Sequence, residues 1–170
     1  MSARPFAKSL PTIFRELLHG STDPSARTYV LNQGDRGLLA SLERLSAAAA
    51  SETDAGAPSI AAHVDHLRYG LSLLNRWADG VSPPWPEMDW TISWRQTVLS
   101  DADWRKLLED LRREATRWAE ALSTPRDVSD VEAGWMAGSV AHFAYHLGAI
   151  RQIDRATRGP TAEDEAGHRA

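Results

Sequence analysis

Residues 101–122 read DADWRKLLEDLRREATRWAEAL and carry the clearest fold signal in the chain. Apolar residues recur there at intervals of three and four, the spacing that places side chains on one face of an α-helix. The stripe consists of Trp104, Leu107, Leu108, Leu111, Ala115, Trp118 and Leu122. Ser100 and Asp103 provide a helix N-cap and an acidic first turn. The segment therefore predicts an amphipathic helix of about six turns.

The same spacing of apolar residues recurs in three other long segments. They span residues 27–50, 59–78 and 132–157, and a shorter extra helix is expected within the first 20 residues. Ser59 is a suitable N-cap for the second segment, and Ser129 with Glu132 forms a capping box for the last. Gly159-Pro160 is expected to stop the last helix. Gly34 and Gly37 weaken the helical pattern in the first half of 27–50.

The composition supports an all-α fold. Alanine and leucine together number 44, whereas the β-branched residues valine and isoleucine together number 12. Alanine and leucine are strong helix formers, and sheets are enriched in β-branched residues. We predict an up-and-down four-helix bundle with an extra short N-terminal helix, forming one domain over residues 1–158. The polar residues 159–170 are expected to be a disordered tail.

Charge and cysteine content exclude several classes of function. A formal net charge of −4 argues against a dedicated nucleic-acid-binding protein, which normally has a basic face. The chain has no cysteine, which excludes disulfides, thiolate nucleophiles and cysteine-ligated metal sites. There is neither a membrane-spanning apolar run nor a signal peptide, so we expect a soluble cytoplasmic protein without a membrane partner.

Four of the six histidines form two pairs at helical spacing. His142 and His146 are four residues apart in one predicted helix, and His63 and His66 are three apart in another. Each spacing places both imidazoles on one helix face, and two helices of a bundle can bring such pairs together. Three imidazoles can hold a divalent metal ion with one position open for substrate. The alternative is that these are hydrogen-bonded core histidines.

Aromatic residues near these histidines have two interpretations. Tyr69 and Tyr145 could line a pocket at the site or serve only in packing. The loop over residues 79–93 contains Pro83, Pro84 and Pro86 together with Trp85 and Trp90. These tryptophans could roof a pocket and contact an apolar substrate, or could clamp the loop onto the helices.

At these residues the chain resembles the DinB/YfiT-like family of metal-dependent proteins. The resemblance covers about Tyr29 to Arg155. It rests on Ser59-Ile60 followed by His66-Leu67, on the motif HFAYHLG over residues 142–148, and on the helix order with its long central loop. The family motif continues with glutamine, where this chain has Ala149.

The resemblance implies a four-helix bundle, often dimeric, with His66, His142 and His146 as metal ligands. His63 does not match a ligand position; it would contact a ligand, replace one, or belong to the core. Zn²⁺ and Ni²⁺ are the first candidates for the metal.

Several relatives transfer low-molecular-weight thiols such as bacillithiol, mycothiol or glutathione, so thiol S-transfer to a small molecule is expected, with hydrolysis as a further possibility. The alternative is a non-enzymatic bundle that binds a small ligand or dimerises and has a vestigial histidine site.

Overall fold

The computed structural model describes residues 4–21, 23, 27–54, 56–81, 88–95 and 98–161, with side chains from residue 8 onward. These residues form six α-helices and two short 3₁₀ helices, and they contain no strand. The α-helices are α1 (Arg4–His19), α2 (Gly37–Leu42), α3 (Ala47–Ser51), α4 (Ile60–Ala78), α5 (Asp101–Ser123) and α6 (Asp130–Ile153). The all-α class is confirmed, and the four-helix-bundle arrangement stays a prediction. None of the helices in the described ranges is long and apolar enough to cross a membrane.

The helices α4, α5 and α6 begin where their capping residues predicted. The Ser59 hydroxyl accepts a hydrogen bond from the Ala62 N–H at 3.2 Å, and the Ser129–Glu132 capping box is complete. The end of α6 differs from the prediction, because the helix stops at Ile153 rather than near Gly159-Pro160. Asp154 takes an extended conformation there and caps a 3₁₀ turn over Arg155–Thr157.

The predicted long helix over residues 27–50 is wrong. The carboxylate of Glu16 accepts hydrogen bonds from the backbone N–H groups of Tyr29, Val30 and Leu31 at 2.7–2.9 Å, so these donors need no helical carbonyls. Gly34 and Gly37 then have φ values of 80° and 73°, in the left-handed region, so a continuous right-handed helix cannot run through this segment. Only α2 and α3 form in this segment. The helix predicted before residue 20 is present as α1 and has 16 residues.

Contacts divide the chain into two compact units, residues 1–44 with 122–170, and residues 45–121. The prediction of a single domain over residues 1–158 is not tested by this division and stays a prediction. At the start of the predicted tail, the Pro160 carbonyl accepts a hydrogen bond from the Asn32 side chain at 2.7 Å. Residues 162–170 lie outside the described residues.

The first unit is held by a buried ion pair. Both guanidinium Nη atoms of Arg151, near the end of α6, lie 2.8 Å from the carboxylate oxygens of Asp35, which is 2% exposed. The same carboxylate accepts the Gly37 N–H at 2.8 Å, at the start of α2. Phe14 of α1 packs edge-on against Phe143 of α6 with ring centroids 4.9 Å apart. Polar and aromatic contacts thus connect α1, α2 and α6.

In the second unit, polar contacts connect α4 and α5. The Asn75 amide donates to the backbone carbonyl and the carboxylate of Glu114, each at 2.9 Å, and both side chains are buried. The indole N–H of Trp104 donates to the Leu45 carbonyl at 3.0 Å. Trp118 is fully buried on α5, with its ring 6.2 Å from that of Trp77. Buried polar groups that find such partners orient a core without a large desolvation penalty.

Gly20 lies directly against the backbone of Asp35 and Arg36. Its φ is 71°, and a Cβ at this position would lie 1.8 Å from the Asp35 carbonyl oxygen. We predict that Gly20→Ala lowers the free energy of unfolding by about 2–5 kcal/mol, because strain and overpacking add. Gly80→Ala is the matched control, since φ is 87° there and a Cβ would meet nothing within 4 Å. It should cost only about 1–2 kcal/mol. Equal urea-unfolding midpoints for the two variants would refute the close approach.

Candidate metal centre

The helix α6 holds two histidines one turn apart. The ring centroids of His142 and His146 are 4.4 Å apart, with the ring planes at 77°. His146 is buried at 3% exposure, whereas His142 is exposed. The spacing of four residues predicted this shared face, and the capped helix start sets the register in which the two residues lie. One helix therefore presents a pair of imidazoles, one buried and one accessible to solvent.

The helix α4 holds the other pair, and both of its members are buried. His63 is 8% exposed and His66 is 7% exposed. The 3₁₀ helix over Ile92–Arg95 packs against α4. Its Trp94 indole lies near both imidazoles. Because both histidines of this helix turn are buried, they face packed side chains rather than solvent.

Three of these histidines lie close together: His66, His142 and His146. Each offers one ring nitrogen, and these atoms all lie within 4.8 Å of one another. Imidazole nitrogens bind Zn²⁺ at about 2.0–2.1 Å, so two ligands of one ion are no more than about 4.2 Å apart. Small side-chain adjustments would close that difference. The three histidines could therefore hold a metal ion, and they are the same three that the family resemblance implies as ligands.

Burial favours the neutral form of two of these histidines. Desolvation lowers the pKa of His63 and of His142 below the ordinary value of 6.5. An imidazole must be neutral to offer its nitrogen to a metal ion. A lowered pKa keeps His142 in the ligating form at neutral pH, even though part of its side chain reaches solvent.

The other residues predicted near the site have separate surroundings. His63 is not part of the three-histidine cluster, and its ring meets Trp94 edge-on with centroids 5.4 Å apart. Tyr69 is half-buried and meets Trp90 edge-on at 5.9 Å. Tyr145 is 69% exposed, with its ring perpendicular to that of His146 at 5.0 Å. Roles for His63, Tyr69 and Tyr145 in supporting the ligands or lining a pocket stay predictions.

Trp94 was not among the residues predicted for the site, although it contacts His66. Its indole stacks on the His66 imidazole, with centroids 4.6 Å apart and planes at 28°. Trp90 also approaches His66, at 5.7 Å. The available signal was the spacing of four between these tryptophans directly after a proline-rich stretch. Trp85 and the prolines of that stretch lie outside the described residues, and the pocket or clamping role of this loop stays a prediction.

Comparison with known proteins assigns no family to this chain. No family model matches the sequence, and no curated protein or solved structure is significantly similar to it. The resemblance to the DinB/YfiT-like family therefore stays a prediction, based on the sequence motifs of α4 and α6 and on the predicted helix order. The fold and the site together define an all-α protein with three clustered histidines that could hold a metal ion.

Proposed function

We propose that this protein is a metal-dependent enzyme of the DinB/YfiT-like type, in which His66, His142 and His146 hold one divalent metal ion. The observation that carries the proposal is the approach of their three ring nitrogens to within 4.8 Å. Zn²⁺ and Ni²⁺ are the first candidates, since imidazole suits both. A set of three protein ligands is typical of catalytic sites, whereas structural zinc sites are closed by four.

The donor set determines which chemistry the site would support. Neutral imidazoles leave a bound divalent ion its full charge, which lowers the pKa of a water or a thiol held at the remaining position. His66 and His146 would supply the buried side of the site. The exposed His142 would lie where solvent and a small molecule can enter. This asymmetry of burial supports a site open to substrate.

Thiol S-transfer to a small electrophile is the reaction we favour, and hydrolysis is the alternative reaction. The chain has no cysteine, so the thiol must come from a low-molecular-weight cosubstrate. The proposed partners are thus small molecules, not nucleic acid or membrane, and the proposed location is the cytoplasm. The competing proposal is a non-enzymatic ligand-binding or dimerising bundle with a vestigial histidine site.

A homodimer is part of the proposal, and the surface of α6 supports it. Residues 133–150 include no charged residue. Tyr145 and Val131 on this helix are 69% and 63% exposed. A Cβ added at Gly134, Gly138 or Gly148 would meet nothing within 4 Å. Small residues on an uncharged helix face allow a second helix to approach closely.

Metal content tests the proposed ligand set. Purified untagged protein, incubated with Zn²⁺ and dialysed, should retain about one ion per chain by elemental analysis. His66→Ala and His146→Ala should each lose the ion while the circular dichroism spectrum stays helical, because two imidazoles bind far more weakly than three. His19→Ala is the matched control, since His19 is exposed on α1 and outside the cluster. Full metal retention in either cluster variant would contradict the proposal.

Thiol consumption tests the proposed reaction. Zn²⁺-loaded protein should accelerate the loss of free thiol when bacillithiol, mycothiol or glutathione is mixed with a chloroarene whose chloride the sulfur displaces. A chromogenic disulfide reagent measures the cosubstrate alone, because the chain contributes no thiol. Metal-free protein and His146→Ala should show only the uncatalysed rate. Rates that match this background in the loaded wild type, for all three thiols, would favour hydrolysis or the non-enzymatic alternative.

A further inference from the structure

We propose that Trp94 is a positioning residue that orients the His66 imidazole for metal binding through a stacked ring contact. This inference rests on the proposed metal site. It concerns how the ligand that α4 supplies is held, which the histidine spacing alone does not determine. A metal-binding histidine is commonly held by a hydrogen bond from its second ring nitrogen to a carboxylate or carbonyl group. Here an aromatic surface lies against the ring itself.

The geometry of the contact between Trp94 and His66 supports a role of the indole in orienting the imidazole ring. The indole of Trp94 and the imidazole of His66 are 4.6 Å apart at 28°, an offset stack within the range of favourable aromatic pairs. The same indole meets the ring of His63 edge-on at 5.4 Å and 81°. One tryptophan therefore contacts both buried histidines of α4 and limits rotation of the His66 ring about its χ2 bond.

The turn that carries Trp94 is itself well fixed. The carboxylate of Asp89 accepts the Thr91 N–H at 2.9 Å and also the Thr91 hydroxyl. Arg95 donates to the Thr91 hydroxyl at 2.6 Å and to the Asp89 carboxylate at 3.2 Å. Ser93, next to Trp94, is 1% exposed. A side chain can hold a ligand only if its own backbone is held, and these bonds meet that requirement.

Trp90 provides a built-in comparison on the same turn. Its ring is 5.7 Å from His66 and tilted by 54°, so it does not share the plane of the imidazole. It lies over Gly70, where a Cβ would be 3.9 Å from the indole. Trp90 and Trp94 are 41% and 38% exposed, so truncation of either removes a similar amount of surface from the unit. If Trp94 orients His66, replacing Trp94 should weaken metal binding more than replacing Trp90. If both tryptophans serve only in packing, the two replacements should have similar effects.

The test is a Zn²⁺ titration of the full chain in competition with a chromogenic chelator. Trp94→Leu should weaken Zn²⁺ binding about tenfold, the scale typical for loss of a residue that orients a metal ligand. Trp94→Phe keeps a ring that can stack and should stay within about threefold of the wild type. Trp90→Leu should also stay within about threefold. Equal weakening in Trp90→Leu and Trp94→Leu, or none in Trp94→Leu, would overturn the inference.

A second measurement examines the stack without metal. In NMR spectra of the metal-free protein, the carbon-bound ring protons of His66 should be shifted upfield by the indole above them, with His66→Gln providing the assignment. Trp94→Leu should abolish that shift, and Trp90→Leu should leave most of it. Ordinary His66 shifts in the wild type would overturn the inference. If the shift is present but the wild type binds no Zn²⁺, both the inference and the proposed metal site fail. If Zn²⁺ binds and Trp94→Leu leaves that binding unchanged, only the inference about Trp94 fails.

Discussion

The buried carboxylate of Asp35 is the contact on which the first unit depends. It is 2% exposed, pairs with both Nη atoms of Arg151 and accepts the Gly37 N–H. A buried charge without its partner costs about 3–5 kcal/mol, so these contacts act together. They tie the start of α2 to the C-terminal end of α6. The capping box at Ser129 fixes the opposite end of the same helix, and the histidine pair lies between these two fixed ends.

The two helices that supply the clustered histidines hold them by different physical means. On α6 the helix repeat itself places His142 and His146 one turn apart. On α4 the repeat places His66 next to its neighbour His63, but the helix leaves the orientation of each ring open. The turn over residues 89–95 supplies the missing constraint through the stacked indole of Trp94. The positions of the proposed ligands thus depend on helical register, on burial and on aromatic packing. Substitutions can remove each of these three contributions separately.

Local signals in the sequence predicted the all-α class, the starts of three long helices and the two histidine pairs. The choice of His66, His142 and His146 as ligands came from the family resemblance. The caps at Ser59 and Ser129 act within one helical turn, so they could be identified without tertiary information. The helix expected over residues 27–50 failed because the Glu16 carboxylate, far away in sequence, takes the backbone donors of residues 29–31. Trp94 was missed for a similar reason. Its importance depends on a ring contact with α4 that no periodicity encodes.

The coordination of a bound ion tests the central claim most directly. X-ray absorption at the zinc edge of Zn²⁺-loaded protein reports the atoms around the ion and the multiple scattering that identifies imidazole rings. We predict about three imidazole nitrogens at about 2.0–2.1 Å, together with one oxygen ligand from water. His142→Ala, loaded and dialysed in the same way, should lose the zinc signal itself, because two imidazoles bind the ion far more weakly than three. A first shell of oxygen alone, or spectra unchanged by His142→Ala, would contradict a metal centre built from His66, His142 and His146.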